Sequence, residues 1–274
     1  MTDNGDGTST ILVLATGNLV VYGPDGKAAG GQGDGALRSR GVDRPGRVLG
    51  VDGCRGGWIG MVLAPGERPR GVFAAHVGEV VDAAGVAAGG LDVVGVDMPL
   101  HLTPDGHRPC DLAARRHLGA KGASLFVTPP RPSLAAPTYA EACGIARELT
   151  GQAPSRQAWA LRAKVLELDA WWPTAPCPVH EVHPEVSFSL MVGSPIPARK
   201  TTWSGLAARR SALAAEGIDV PDDIGPAGRL AGADDVLDAA AVAWTARRIL
   251  SGAARTFPDA PVELPGGRRQ AIWA

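Results

Sequence analysis

The chain has no run of 18 apolar residues, which excludes an ordinary membrane-spanning helix. Its first residues lack a basic stretch followed by a long apolar one, so no secretory signal is expected. Cysteine is scarce and scattered. Cys54, Cys110, Cys143 and Cys177 stand singly, which suits reduced thiols in the cytoplasm better than a disulfide framework. Cys177, His180 and His183 have ligand-like spacing, but no fourth ligand lies near and strand alternation would split them. An excess of charge is missing too. The formal net charge of −1 gives no overall footprint for nucleic acid or a membrane surface. Lysine is nearly absent, and arginine carries most of the positive charge. Nothing in the sequence reports the oligomeric state.

What is present begins with a Gly-rich prelude. Residues 1–46 hold a possible short hairpin, 11–22, around Gly17-Asn18, followed by Gly-Pro-Asp-Gly and Gly-Gly-Gln-Gly-Asp-Gly linker chemistry. They are expected to form a poorly ordered extension ahead of one domain, 47–274. That domain opens with two apolar runs, 47–52 and 58–64, around the turn Gly53-Cys54-Arg55-Gly56-Gly57. A third strand, 71–77, completes an antiparallel meander. Val80, Val81, Ala84 and Ala87 then recur at helical spacing, and Gly89-Gly90 ends that helix. The following strand, 92–97, finishes in aspartate as the first one does. A helical crossover favours parallel pairing of these two strands, which would put Asp52 and Asp97 at the same end.

Residues 100–175 read as a helical insertion, with helices near 110–118, 138–149 and 155–171, the last capped by Ser155. Residues 108–164 carry nine Lys or Arg against three Asp or Glu, a local charge of about +6. This is either a set of solvated helix faces or an anion-binding cap over the strand ends. Arg131, Arg156, Lys164 and Lys200 are the candidate phosphate contacts, with Arg55 reaching from the first turn. Gln157 and Trp159 could touch a base, although Trp159 suits the core better.

A further strand from Cys177 brings Glu181 to its end and breaks at Pro184 into a short helix, 185–192. Lys200-Thr201-Thr202 precedes a helix, 203–216. Asp234 reads as a cap of the last helix, which runs to Leu250. Asp235 and Asp238 are i and i+3 on its otherwise apolar face. An aspartate after a strand is a common turn residue, and acids in a first helical turn suit the helix dipole. Each acid alone therefore means little. Asp52, Asp97, Glu181, Asp235 and Asp238 converging would repel one another unless protonated or bridged by cations. Hard divalent ions such as Mg²⁺ or Mn²⁺ take such oxygen ligands and can drive phosphodiester cleavage.

Four segments carry a resemblance: Gly50-Val51-Asp52-Gly53-Cys54-Arg55-Gly56-Gly57-Trp58, Val96-Asp97-Met98-Pro99, Glu181-Val182-His183-Pro184-Glu185 and Asp234-Asp235-Val236-Leu237-Asp238-Ala239. With Cys110-Asp111, Thr128-Pro129-Pro130-Arg131, Ser155-Arg156-Gln157-Ala158-Trp159 and Lys200-Thr201-Thr202, they resemble the DUF429 family, whose members are predicted RNase H-like nucleases. The resemblance spans roughly 47–255. It implies an α/β, RNase H-like fold: a five-stranded mixed sheet, three strands antiparallel and the rest parallel, flanked by helices. It also implies Asp52 as the central, bridging metal ligand and Glu181 and Asp238 as further ligands. Asp235 would be a ligand or an outer base, and Asp97 a ligand or a structural strand end. His183 is a candidate proton shuttle. The expected activity is that of a metal-dependent nuclease or phosphodiesterase, with nucleic acid or a phosphorylated small molecule as partner. Two alternatives are a phosphotransferase of the sugar-kinase and actin type, and a non-catalytic nucleic-acid-binding module. The former generally duplicates this fold core, and no second Val-Asp-Gly hairpin appears in the later half. The near-complete acid set argues against the latter.

Overall fold

In the computed structural model of the chain, the described residues are 46–274, without the side chains of Ala87 and Ala88, plus the backbone of two short strands, Ile11–Val13 and Leu19–Val21. Those two strands pair antiparallel, with Ile11 opposite Val21. The rest of the expected extension, including its Gly-rich linker, lies outside the described residues.

The core is a five-stranded sheet: β1 (Val48–Cys54), β2 (Gly57–Leu63), β3 (Arg70–Ala74), β4 (Val93–Asp97) and β5 (Val179–Glu181), in the order β3-β2-β1-β4-β5. β2 runs antiparallel to both its neighbours, β1 and β3, whereas β4 and β5 run parallel to β1. The expected mixed sheet is present, consistent with an RNase H-like fold. β1 and β4 are nearly continuous apolar runs because helices cover both faces. Leu49, Val51, Val94 and Val96 pack to one side, and Val48 and Val93 to the other. The β1–β2 turn is two residues, Arg55 and Gly56, with Gly56 at φ 81°. β3 is shorter than the pattern suggests. The chain leaves the sheet after Ala74, and α1 (Val77–Ala88) starts with Glu79 accepting the His76 N–H at 3.3 Å.

The expected helical insertion follows β4. It holds α2 (Pro109–Leu118), α3 (Tyr139–Thr150), a single turn at Arg156–Ala160, and α4 (Arg162–Trp171). Ser155 caps as expected, accepting the Ala158 N–H at 3.0 Å, but the helix it starts is interrupted at Leu161. Trp159 is not core. It is half-buried under the Arg162 guanidinium, 4.0 Å from its ring centre.

After β5 come α5 (Pro184–Val192), α6 (Trp203–Ala215) and α7 (Ala233–Leu250). α7 lies across the centre of the sheet in nearly bare backbone contact. Gly50 and Gly95 are register partners on β1 and β4. A Cβ on Gly50 would fall 2.1 Å from Ala243 N, and one on Gly95 would fall 3.1 Å from Val242 O. Ala239, Ala240, Ala241 and Ala243 keep the helix surface equally low. Asp234 is not the cap: Gly232 is, and Asp235 accepts its N–H at 3.2 Å.

A C-terminal hairpin, β6 (Thr256–Leu264) and β7 (Arg268–Trp273), is an addition the sequence pattern did not reveal. It extends the β5 edge through a parallel bridge between Val182 and Trp273. No helix among the described residues is long and apolar enough to cross a membrane.

Candidate active site

The parallel pairing places Asp52 and Asp97 opposite each other at the C-terminal ends of β1 and β4. Glu181 ends β5 one register step behind, opposite Val96. α7 adds Asp238, 2% exposed, from its second turn. These four acids, with Asp235 and Glu185, line one cavity of about 530 Å³. The carboxylates singled out in the sequence therefore line one cavity, although the ligand atoms of Asp52, Asp97 and Asp238 do not form a group of three within 4.8 Å of one another. Glu185, the acid one residue after Pro184 in the first turn of α5, joins them without having stood out in the sequence.

Removal from water and mutual repulsion dominate the electrostatics. Burial, then Asp97 and Asp238, push the Asp52 carboxyl well above its ordinary range. Burial, then Asp238, do the same to Asp97. Burial pushes Asp238 up to about 6 even though Lys200 pulls it down. Burial and the neighbouring Asp234 raise Asp235. Among the described residues, Asp52 and Asp97 accept no hydrogen bond, and the buried oxygens Asp238 Oδ1 and Glu185 Oε2 have no partner. The other oxygen of each buried acid is bound: Asp238 Oδ2 by Lys200 at 2.6 Å, and Glu185 Oε1 by the buried Arg209.

A second, buried group shares Glu181 with the first. Cys110, Asp111 and Glu181 offer ligand atoms within 4.8 Å of one another, near enough to hold one divalent ion. The Arg108 guanidinium touches all three: 2.5 Å from Glu181 Oε2, 2.9 Å from Cys110 Sγ and 3.5 Å from Asp111 Oδ1. Thr128 closes the network, giving its N–H to Asp111 at 2.7 Å and accepting from Arg108 at 3.1 Å. Burial pushes the Cys110 thiol up and Glu181 up to about 7, against the pull of Arg108. A metal needs the thiolate, so this group as it stands is neutralised by arginine. No sequence signal distinguished Arg108 from its exposed neighbours.

The expected phosphate contacts divide. Lys200 lines the cavity, as do Lys121 and Arg199, which sequence reasoning passed over. Gln157 and His183 are also there. Burial pushes His183 down to about 4, so the ring is neutral near pH 7, with Nδ1 unpartnered. Arg131 and Arg156 are directed elsewhere. Arg131 pairs with Asp169 at 2.8 Å, and Arg156 stacks over the Tyr139 ring at 4.2 Å. Lys164 donates to the Gly57 carbonyl at 2.5 Å beside the Trp58 ring, and Arg55 stands exposed at the hairpin tip. Cys177, His180 and His183 do not gather into a ligand set; the His180 ring instead meets Trp273 edge-on at 4.9 Å.

Comparison with curated proteins and with solved structures returned no match. The family model described as "Protein of unknown function (DUF429)" matches residues 50–263. That span holds every acid of the cavity, and the chain belongs to the DUF429 family.

Proposed function

We propose that the protein is a metal-dependent phosphodiester hydrolase acting on nucleic acid or a smaller phosphate ester. The observation that carries this reading is the convergence of Asp52, Asp97 and Asp238 with two buried, unpartnered carboxylate oxygens, Asp238 Oδ1 and Glu185 Oε2. Leaving such an atom unpaired costs about 1–3 kcal/mol or more, a penalty that a cation shared between the acids would remove. The donors are all oxygen, which suits Mg²⁺ or Mn²⁺ better than a thiophilic ion. Asp52, Asp97 and Asp238 are the residues that would hold it. Glu181, fixed at Oε2 by Arg108 and by the Leu100 N–H at 2.8 Å, lines the same cavity. A bound divalent ion supplies a water of lowered pKa and neutralises charge at the leaving oxygen.

The chain's own groups supply the rest. Lys200, Lys121 and Arg199 place positive charge where a phosphate would enter. Asp235, half-buried at the rim with a raised pKa, can take a proton from an entering water. The phosphotransferase alternative expects a duplicated core, and one such sheet is present among the described residues.

The test is Mn²⁺-dependent hydrolysis of bis(p-nitrophenyl) phosphate and of labelled single- and double-stranded nucleic acids. Asp52→Asn and Asp238→Asn are expected to abolish turnover while the far-ultraviolet circular dichroism stays unchanged. Wild-type rates in a folded Asp52→Asn protein would overturn the assignment.

A further inference from the structure

A second cavity, of about 260 Å³, adjoins the first, sharing the lining residues Phe126, Thr128 and Gln157. Its volume falls below the roughly 300–1,000 Å³ typical of sites for drug-sized ligands, so it suits one ring system. Its walls are flat and apolar: Phe126, Pro129, Pro130 and Pro154. They are also firmly held. Thr128 is tied to Asp111 and Arg108, and the Tyr139 hydroxyl donates to the Pro154 carbonyl at 2.9 Å. Phe126 is half-buried, lines both cavities and makes no ring contact with another aromatic side chain among the described residues.

The polar groups of this cavity decide what it takes. Its one Lys or Arg, Arg115, donates one guanidinium N–H to the Leu125 carbonyl at 2.8 Å. The Gln152 and Gln157 side chains form no hydrogen bond among the described residues, and His107 Nδ1 is buried without a partner. A wholly apolar occupant would leave the buried His107 Nδ1 without a partner. A planar heterocycle matches both features, with apolar surface for its faces and neutral donors and acceptors for its edge.

We propose that this cavity receives the base of a nucleotide whose phosphate ester lies at the carboxylates. The inference rests on the phosphodiesterase reading and narrows its substrate to a nucleotide ester with an unstacked base: a mononucleotide ester or single-stranded nucleic acid. Bases paired inside a duplex cannot enter.

The experiment compares bis(p-nitrophenyl) phosphate, which has no base, with thymidine 5′-(p-nitrophenyl) phosphate, both with Mn²⁺. The expected result is a higher kcat/KM for the base-bearing ester. Gln152→Ala and His107→Ala should each shrink the ratio between the two esters by roughly three- to tenfold. Gln152 is exposed, so its variant tests the idea even if His107→Ala fails to fold. Equal kcat/KM for the two esters, or variants that leave the ratio unchanged, would overturn the base subsite while leaving the phosphodiesterase reading intact. If neither ester is hydrolysed, the phosphodiesterase reading falls. Saturation-transfer NMR with free thymidine and with deoxyribose 5-phosphate then decides the subsite. Contact with thymidine that Gln152→Ala weakens supports it, and contact with the sugar phosphate alone defeats it.

Discussion

The Lys200 ammonium lies 2.6 Å from Asp238 Oδ2 and 3.7 Å from Asp234 Oδ2. Although burial opposes it, Asp238 holds the Lys200 pKa above its ordinary value, so the charge is secure at neutral pH. Lys200 is thus the cation that Asp238 possesses without a metal, as Arg209 is for Glu185 and Arg108 for Glu181.

A divalent ion must compete with that lysine. Lys200→Met is expected to tighten Mn²⁺ binding by roughly tenfold in isothermal titration, because Asp238 is released. The same variant should lose kcat/KM for a diester, because the phosphate loses its counter-charge. Weaker Mn²⁺ binding would show that Lys200 organises the acids and does not compete for them.

Metal binding should also be linked to pH. Asp238 titrates near 6 in the fold and near 4 when unfolded. Because the native value is the higher, the metal-free protein binds the extra proton between those values and loses stability as pH rises through that window. Mn²⁺ needs the deprotonated carboxylate, so its stabilisation should grow as pH rises through about 6. Thermal melts at pH 5 and pH 8, with Mn²⁺ and with EDTA, read this directly. Asp238→Asn should flatten the difference.

The Arg108 cluster is structural in its first consequence. Arg108→Met leaves the buried Glu181 and Asp111 without their counter-charge and should cost about 3–5 kcal/mol in urea unfolding. Adding Glu181→Gln to that variant should recover part of the loss. A loss under about 1 kcal/mol would mean that the acids are neutralised some other way.

His101 gives an acid-sensitive point away from the carboxylates. It sits at φ 56°, edge-on to Trp172 at 4.7 Å, with Nδ1 unpartnered. Burial pushes it down to about 4. The unfolded ring accepts a proton below about 6.5 and the native one does not, so stability is lost as pH falls from there toward 4. His101→Asn keeps a residue that tolerates the left-handed backbone and removes the titration. Relative to the variant, the wild type should lose up to about 2 kcal/mol between pH 7 and pH 5.

Much of the sheet was legible because β1 and β4 are buried on both faces and must be continuously apolar. Asp52 and Asp97, near the carboxyl ends of those strands, then stand out against Val51 and Val96. Asp238 was legible as a charge on a helix face otherwise given to the core. Arg108 and Arg209 were not, because a buried arginine and a solvated one look alike until their partners fold against them. The second cavity was hidden for a related reason. Phe126 and Gln152 are ordinary loop residues until the segments of Thr128 and Pro154 fold to line one cavity with them. The β6–β7 hairpin escaped because its alternation is broken by exposed positions and a register shift between Phe257 and Val262.

The bare contact of α7 with Gly50 and Gly95 makes the gap between Asp238 and the strand acids a backbone dimension, set by the thickness of two hydrogen atoms. Seating the helix and assembling the site are then one event. A chain that has closed its core has already closed its acid ring, and any fluctuation that lifts the helix dismantles both. Loss of activity in mild denaturant should therefore follow the global unfolding curve and not precede it.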